Sequence, residues 1–200
     1  MRKTLLKEVI LEQRQILDNL PSGITREILS PLEEKLKLPH ILVISGMRRV
    51  GKSTLLKQII DKYYKSAVIY YLNFEDERLI EFTANDFNKL YEVFYEIYGE
   101  SKIFIFDEIQ NVDKWEKFAR RIRDKGYKLI ITGSNSSLLS KDLGTKITGR
   151  YLPITLLPFS FREFLLFNNY SLSKNWQSMT KERGRIKGYF NEYLKSGGMP

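Results

Sequence analysis

Residues 41–54 read ILVISGMRRVGKST, an apolar run followed by a loop with two glycines. Its first five residues are apolar up to a terminal serine, which predicts a buried β-strand. The residues from Gly46 to Ser53 then match the phosphate-binding loop pattern GxxxxGK[ST]. A predicted helix follows from Lys52, so the pattern lies between a strand and a helix. That context favours a true P-loop over a basic glycine turn, which is the alternative.

Each part of this loop has a physical task. Gly46 and Gly51 let backbone N–H groups turn towards phosphate oxygens. The helix that begins at Lys52 points the positive end of its dipole at the same phosphates. We expect Lys52 to reach the β- and γ-phosphates, and Ser53 to offer its hydroxyl to Mg²⁺. The predicted ATP- or ADP-binding residues are therefore Gly46, Met47, Arg48, Arg49, Val50, Gly51, Lys52, Ser53 and Thr54.

Two arginines within the loop have alternative interpretations. Arg48 and Arg49 either add positive charge near the phosphates or contact a neighbouring subunit. Simple exposure on the surface is the remaining possibility for both.

Apolar strands alternate with amphipathic helices along most of the chain. Strands are predicted at 41–45, 67–73, 102–107, 128–133 and 151–156. Helices are predicted at 4–20, 24–38, 52–65, 84–98, 114–125, 136–143 and 160–167. Pro31 is a predicted interruption of the second helix, and Ser160 with Glu163 is a predicted capping box. The alternation predicts an α/β fold: a parallel sheet of about five strands with helices on both faces.

Three parts of the chain follow from this pattern. Residues 1–40 form an N-terminal helical segment that packs on the core, and residues 41–170 form the P-loop core. Residues 171–200 are expected to begin a helical lid or linker. They end in Gly-Gly-Met-Pro, a turn that normally leads into another element.

The composition of the chain limits the kinds of site and partner that it can have. The chain has 200 residues, no cysteine, a single histidine and a formal net charge of +9. The lack of cysteine excludes disulfides and thiolate chemistry and favours a cytoplasmic location. One histidine is too few for an imidazole-based zinc site, and no apolar run approaches the roughly 20 residues that span a bilayer. The positive charge suits either a polyanion partner, such as nucleic acid, or a solvated lysine-rich surface.

A pair of acids follows another predicted strand. The apolar strand that ends at Phe106 is followed directly by Asp107 and Glu108. An acid in this place next to a P-loop strand is expected to hold Mg²⁺ through water. The adjacent Glu108 is placed to polarise the water that attacks the γ-phosphate. Small-molecule kinases generally lack this second acid, so the pair favours hydrolysis, although two acids that merely cap a strand remain the alternative.

Three further positions are candidates with open alternatives. Ser134 and Asn135, at the end of the next strand, are candidates to sense the γ-phosphate. The alternative is that Asn135 or Ser136 caps the following helix, and both roles are compatible. Arg150 precedes the last strand and acts either as an arginine finger towards an adjacent subunit or in a structural salt bridge. The basic segment 114–128 either follows a nucleic-acid backbone or is a solvated helix face.

These motifs together resemble the prokaryotic, especially archaeal, AAA-type ATPases, a group near the STAND and origin-recognition-like P-loop ATPases. The resemblance spans roughly residues 25–200. It rests on GMRRVGKST, NFED, IFIFDEIQNVDKWEKF, ITGSNSSLLS, GRYLPITLLPFSFREF and YLKSGG.

The resemblance implies an ATPase core with the AAA strand order, a C-terminal helical or winged-helix lid and often a nuclease-like domain. It implies that the P-loop residues bind nucleotide and that Asp107 and Glu108 form the Walker B pair. Ser134 or Asn135 would be sensor 1, and Arg150 the finger supplied in trans by a homo-oligomer or partner protein. We expect a module that hydrolyses Mg-ATP to drive conformational change in a larger protein. The alternative is a regulatory switch with negligible turnover.

Overall fold

The computed structural model describes residues 1–134, 147, 149–173 and 175–199. Its centre is a sheet of five parallel strands in the order β2-β3-β4-β1-β5. The strands are β1 (Ile41–Gly46), β2 (Tyr70–Asn73), β3 (Ile103–Asp107), β4 (Lys128–Ser134) and β5 (Tyr151–Leu156). The P-loop strand β1 therefore lies inside the sheet, and its last residue pairs with Ser134 on one side and Leu156 on the other.

Helices cover both faces of this sheet, as the alternating pattern predicts. They are α1 (Lys3–Asn19), α2 (Leu29–Lys37), α3 (Lys52–Tyr63), α4 (Phe87–Tyr98), α5 (Trp115–Asp124), α6 (Phe161–Phe167) and α7 (Thr180–Ser196). Within the described ranges, no helix is both long enough and apolar enough to cross a bilayer.

The two faces of the sheet carry different cores. Aromatic rings fill the face under α1, α4 and α5, where Tyr70 stacks on Phe94 and Phe87 on Phe118. Branched aliphatic side chains such as Ile44 fill the face under α2 and α3. Successive residues of a strand point to opposite faces, so the continuous apolar strands supply both cores at once. Each fully buried side chain of this kind contributes about 1.5–3 kcal/mol.

Most predicted elements are confirmed, whereas α2 and β2 begin later than predicted. The second helix begins at Leu29 instead of Ile24, because hydrogen bonds to Gln58 hold the preceding chain in a non-helical path. The predicted interruption at Pro31 is wrong. This residue lies in the first turn of α2, where a missing N–H has no partner to lose.

The capping box of α6 is confirmed by two hydrogen bonds. The backbone N–H of Glu163 donates to Ser160 Oγ at 3.1 Å, and the backbone N–H of Ser160 donates to Glu163 Oε2 at 2.9 Å. The strand predicted from Ala67 is shorter and begins at Tyr70. The helix predicted at 136–143 lies outside the described residues.

Candidate nucleotide site

The P-loop follows β1 at the carboxyl edge of the sheet, and both of its glycines are required there. A Cβ on Gly46 would lie 2.8 Å from the carbonyl oxygen of Leu156 and 2.9 Å from Val50 Cγ1. Gly51 has a φ of +93°, a backbone conformation that side chains disfavour. The neighbouring strand β5 and the turn into α3 therefore impose the glycine spacing of the motif.

Lys52 lies over this loop as the first residue of α3. Its side chain is buried, and Nζ donates to the carbonyl oxygens of Gly46 at 3.4 Å and Met47 at 3.3 Å. The same Nζ lies 3.1 Å from Glu108 Oε1. The ammonium group is thus held between the loop and the end of β3, where it can meet a phosphate.

Asp107 ends β3 and is completely buried. It accepts a hydrogen bond from Ser53 Oγ at 2.6 Å and another from the hydroxyl of Thr132 on β4. Burial raises the pKa of Asp107, and the two hydroxyl groups oppose that rise in part. The structure therefore brings together the two residues that the sequence predicts to hold Mg²⁺.

Glu108 turns its carboxylate towards the P-loop. Its backbone has a φ of +51°, and its N–H donates to Thr132 Oγ1 at 3.0 Å. One carboxylate oxygen contacts Lys52, and the other accepts a hydrogen bond from Gln110 Nε2 at 2.6 Å. The uncommon left-handed backbone and these contacts aim the carboxylate at the phosphate loop.

Sequence reasoning missed Thr132 and Gln110. A signal was present for Thr132, because it is the first polar residue after the apolar run of β4. Gln110 lies in the DEIQ segment that supports the family resemblance, but no motif rule assigns a task to it.

The oxygen donors at this site fit magnesium bound to a nucleotide. No group of three or more His, Cys, Asp or Glu side chains that could hold a metal occurs in the described part of the chain. Mg²⁺ normally takes only one or two protein oxygens and completes its shell with phosphates and water. The hydroxyl of Ser53 and the carboxylate of Asp107 are such a pair.

Two cavities of different character meet at the P-loop. A polar cavity of about 440 Å³ is lined by loop residues, Glu75 and Glu108. An apolar cavity of about 290 Å³ lies between the segment 20–24, which leads from α1 towards α2, and α6. Both cavities are lined in part by Gly51 and Thr54. The sequence carried no signal for the apolar cavity, because its walls come from distant segments.

The remaining predicted site residues lie in different parts of the structure. Arg48 forms an exposed ion pair with Glu75 at 2.8 Å, and Arg49 is exposed. Ser134 lies beside Gly46 in the sheet register, at the edge that carries the P-loop. Asn135 lies outside the described residues.

Arg150 lies far from the P-loop of its own chain. It precedes β5, where its carbonyl accepts a hydrogen bond from the first residue of β1 at 3.0 Å. The six residues of β1 separate this end from the loop, a span of about 20 Å. Its guanidinium lies 3.6 Å from Asp124, which is the structural salt bridge considered as the alternative role. A role for Arg150 in trans stays a prediction.

Comparison with known proteins identifies the family of this chain. Residues 38–165 match the family model described as AAA domain. The chain belongs to the AAA domain family. An uncharacterised protein of Methanocaldococcus jannaschii is 41% identical over 98% of this chain and 44% of its own length. A second, from Haemophilus influenzae, is 39% identical over 80% of this chain and 39% of its own length.

This AAA-domain chain therefore spans less than half the length of those relatives. Its fold is similar to that of Hsp104 in the S. cerevisiae Hsp104:casein complex. The TM-score is 0.53 at 15% identity, over 82% of this chain and 31% of that one. Family and fold together confirm the predicted AAA-type P-loop architecture.

Proposed function

We propose that this AAA-domain chain binds Mg-ATP at the carboxyl edge of its sheet and hydrolyses it. Phosphate release would change the conformation of a larger protein. One observation carries the proposal: Lys52, Ser53, Asp107 and Glu108 converge through contacts of 2.6–3.1 Å, although they come from two separate segments. A buried acid, a second acid that faces the loop and a buried lysine are the groups that ATP hydrolysis requires.

The two cavities support a nucleotide over a simple phosphate. The polar cavity suits a triphosphate, and the apolar cavity suits a planar base such as adenine. Gly51 and Thr54 line both cavities, and the sugar of the proposed nucleotide would lie where the two cavities meet.

Glu108 has the central role in the proposed mechanism. Its carboxylate would accept a proton from the attacking water. The new oxygen–phosphorus bond would then form at the γ-phosphorus, while the bond to ADP breaks. Mg²⁺, when bound, neutralises charge on the phosphates. Because phosphates compete with Glu108 for the ammonium group of Lys52, nucleotide binding would free the carboxylate for water.

Phosphate release from Mg-ATP tests this function. We expect Glu108→Gln to abolish turnover while nucleotide binding persists, since only the proton acceptor is lost. Lys52→Ala should lose binding as well, because it removes the buried positive charge. Equal phosphate release by wild type and Glu108→Gln, with nucleotide bound in both, would refute the hydrolase proposal.

A regulatory switch is the second candidate, and the contacts of Glu108 favour it. Both of its carboxylate oxygens have protein partners, Lys52 and Gln110. If those contacts persist with ATP bound, the chain would hold nucleotide without turnover. If wild type and Gln110→Ala both bind ATP tightly and release no phosphate, the result favours the regulatory switch.

We propose that Arg150 acts in trans on a neighbouring copy or partner protein. It is only partly exposed, and it lies at the end of the sheet opposite the P-loop. Turnover per molecule should therefore rise with protein concentration in wild type. Arg150→Ala should remove that rise, whereas a structural salt bridge with Asp124 would leave it unchanged.

Nucleic acid is a proposed further partner, bound by the basic face of α5 and the residue that follows it (Lys117, Arg120, Arg121 and Lys125). These side chains are exposed, and no large exposed apolar side chain occurs within 114–128. A protein interface would need an apolar centre, so the face suits a polyanion better.

A salt titration tests this surface. Four neutralised phosphates predict a slope of log affinity on log salt of about −3 for a single strand. Removal of the four charges on α5 should flatten that slope. Removal of four exposed lysines elsewhere, Lys7, Lys62, Lys65 and Lys102, is the matched control. Equal slopes in the two variants would contradict the assignment to α5.

We also propose a division at residues 40 and 170, with residues 171–200 as the start of a helical lid. In support, none of the residues of α7 is buried, so this helix lies outside the packed core. The proposed location is cytoplasmic.

A further inference from the structure

We propose that a buried ion pair, Arg26 with Glu163, couples the P-loop to the C-terminal helix α7 and positions both. The direct consequence is that a change in the loop reaches α7 through this pair. That nucleotide binding causes this change rests on the proposed nucleotide-binding function. The physical connection between the loop and α7 does not.

Arg26 contacts three parts of the chain with one side chain. It is 5% exposed. Nε donates to Glu163 Oε1 at 3.0 Å, Nη1 to the carbonyl oxygen of Val50 at 3.1 Å, and Nη2 to that of Leu157 at 2.6 Å. Because the guanidinium is planar and rigid, a shift of the Val50 peptide must move the other two contacts. Arg26 therefore ties the P-loop backbone to the segment that follows β5.

Glu163 completes the connection on the side of α6. It is 3% exposed. Besides the guanidinium, it accepts hydrogen bonds from the backbone N–H of Glu27 at 2.7 Å and of Ser160 at 2.9 Å. One carboxylate thus holds the N-terminal segment, the buried arginine and the first turn of α6 together.

Phe159 carries the connection on to α7. The guanidinium of Arg26 lies 4.9 Å from the centre of the Phe159 ring. The backbone N–H of Phe159 donates to the carbonyl oxygen of Gly198 at 2.7 Å, and Tyr193 Oη donates to the carbonyl oxygen of Phe159 at 2.8 Å. A Cβ on Gly198 would lie 2.6 Å from that same oxygen. The end of α7 is therefore fitted closely to the residue on which Arg26 stacks.

Stability alone does not explain such a pair. Apolar side chains of similar volume often stabilise a buried site as well as an ion pair does. An ion pair whose donors reach three separate segments specifies their relative positions, which apolar packing would not do. Because the pair lies beside the P-loop, this geometry can couple a movement of the loop to the segments that the pair holds.

Hydrogen exchange of the full chain tests the coupling. The variant is Arg26→Met/Glu163→Met, which removes the pair without leaving one charge buried alone. Its matched control is Arg14→Met/Asp18→Asn, which removes an exposed ion pair on α1. Arg26→Lys is the conservative variant, since it keeps the charge but lacks the planar fork.

The first measurement is made without nucleotide, so it is independent of the proposed function. We expect exchange to accelerate about tenfold in peptides over both 47–54 and 190–199, because the variant removes the hydrogen bond to Val50 on one side and the stacking on Phe159 on the other. The control should match wild type, and Arg26→Lys should lie between. Unchanged exchange in either segment would overturn the proposal. If circular dichroism shows that the double variant is unfolded, Arg26→Lys alone decides, with both segments required to accelerate together.

The second measurement adds saturating Mg-ADP. In wild type, protection should appear over both 47–54 and 190–199, and in the double variant over 47–54 alone. Protection that still reaches 190–199 in the double variant would overturn the coupling. Absence of protection over 47–54 in wild type would instead count against nucleotide binding, and the first measurement would still decide the coupling.

Discussion

Thr132→Val should destabilise the chain although it leaves the shape of the buried site unchanged. Thr132 is fully buried, and its hydroxyl both donates to Asp107 and accepts from the backbone N–H of Glu108. Valine replaces that hydroxyl with a methyl group and removes both bonds. The perturbation therefore tests whether this threonine holds the two acids in place.

The magnitude follows from the two bonds. A hydrogen bond to a charged group contributes about 1.5–3 kcal/mol, and a buried N–H left unpaired costs about 1–3 kcal/mol. The added methyl group offsets about 0.8 kcal/mol. A net loss of about 2–5 kcal/mol is expected, which corresponds to a fall in melting temperature of about 4–20 °C for a chain of this size.

Urea unfolding followed by circular dichroism measures this change. Thr132→Ser keeps the hydroxyl and loses one methyl group, so it should cost only about 1 kcal/mol. Thr155→Val makes the same replacement at an exposed position on β5 and should lie within about 0.5 kcal/mol of wild type. If Thr132→Val were as stable as wild type, or more stable than Thr132→Ser, the hydroxyl would not hold Asp107 and Glu108.

Three further predictions concern single residues. Gly46→Ala should abolish nucleotide binding in a fluorescence titration, since its Cβ would meet the Leu156 backbone, whereas Gly184→Ala in α7 has open space and should bind normally. Because burial raises the pKa of Asp107, the folded chain binds this proton more tightly than the unfolded chain, and stability should fall as pH rises from the unfolded pKa towards the folded one. Asp107→Asn should remove that fall in urea unfolding series and lose Mg²⁺-dependent binding, and an unchanged slope would contradict it. Burial lowers the pKa of Lys128 from 10.5 to about 8, so the unfolded chain binds more protons between those values and stability should rise with pH there. Lys128→Met should lack this rise when the two pH series are compared.

Local patterns in the sequence predicted much of the site. The spacing from Gly46 to Ser53 and the acid pair after β3 are properties of short segments, and both lie where the pattern placed them. Thr132 could have been noticed as a polar residue after an apolar run. Its contact with both acids depends on β4 lying next to β3, and no local pattern predicts that the two strands are neighbours.

The α/β class, the P-loop and the acid pair follow from the sequence alone, because strand and helix periodicity and loop chemistry are encoded within a few adjacent residues. No local pattern predicts which distant segments meet, and these contacts are seen only in the folded chain. Arg26 and Glu163 are 137 residues apart in the chain, and no local pattern predicts that they meet. The direction of β5 likewise placed Arg150 at the end of the sheet opposite the loop. Such contacts are set by strand order and by the packing of loops over strand ends, and these depend on the burial of the whole chain.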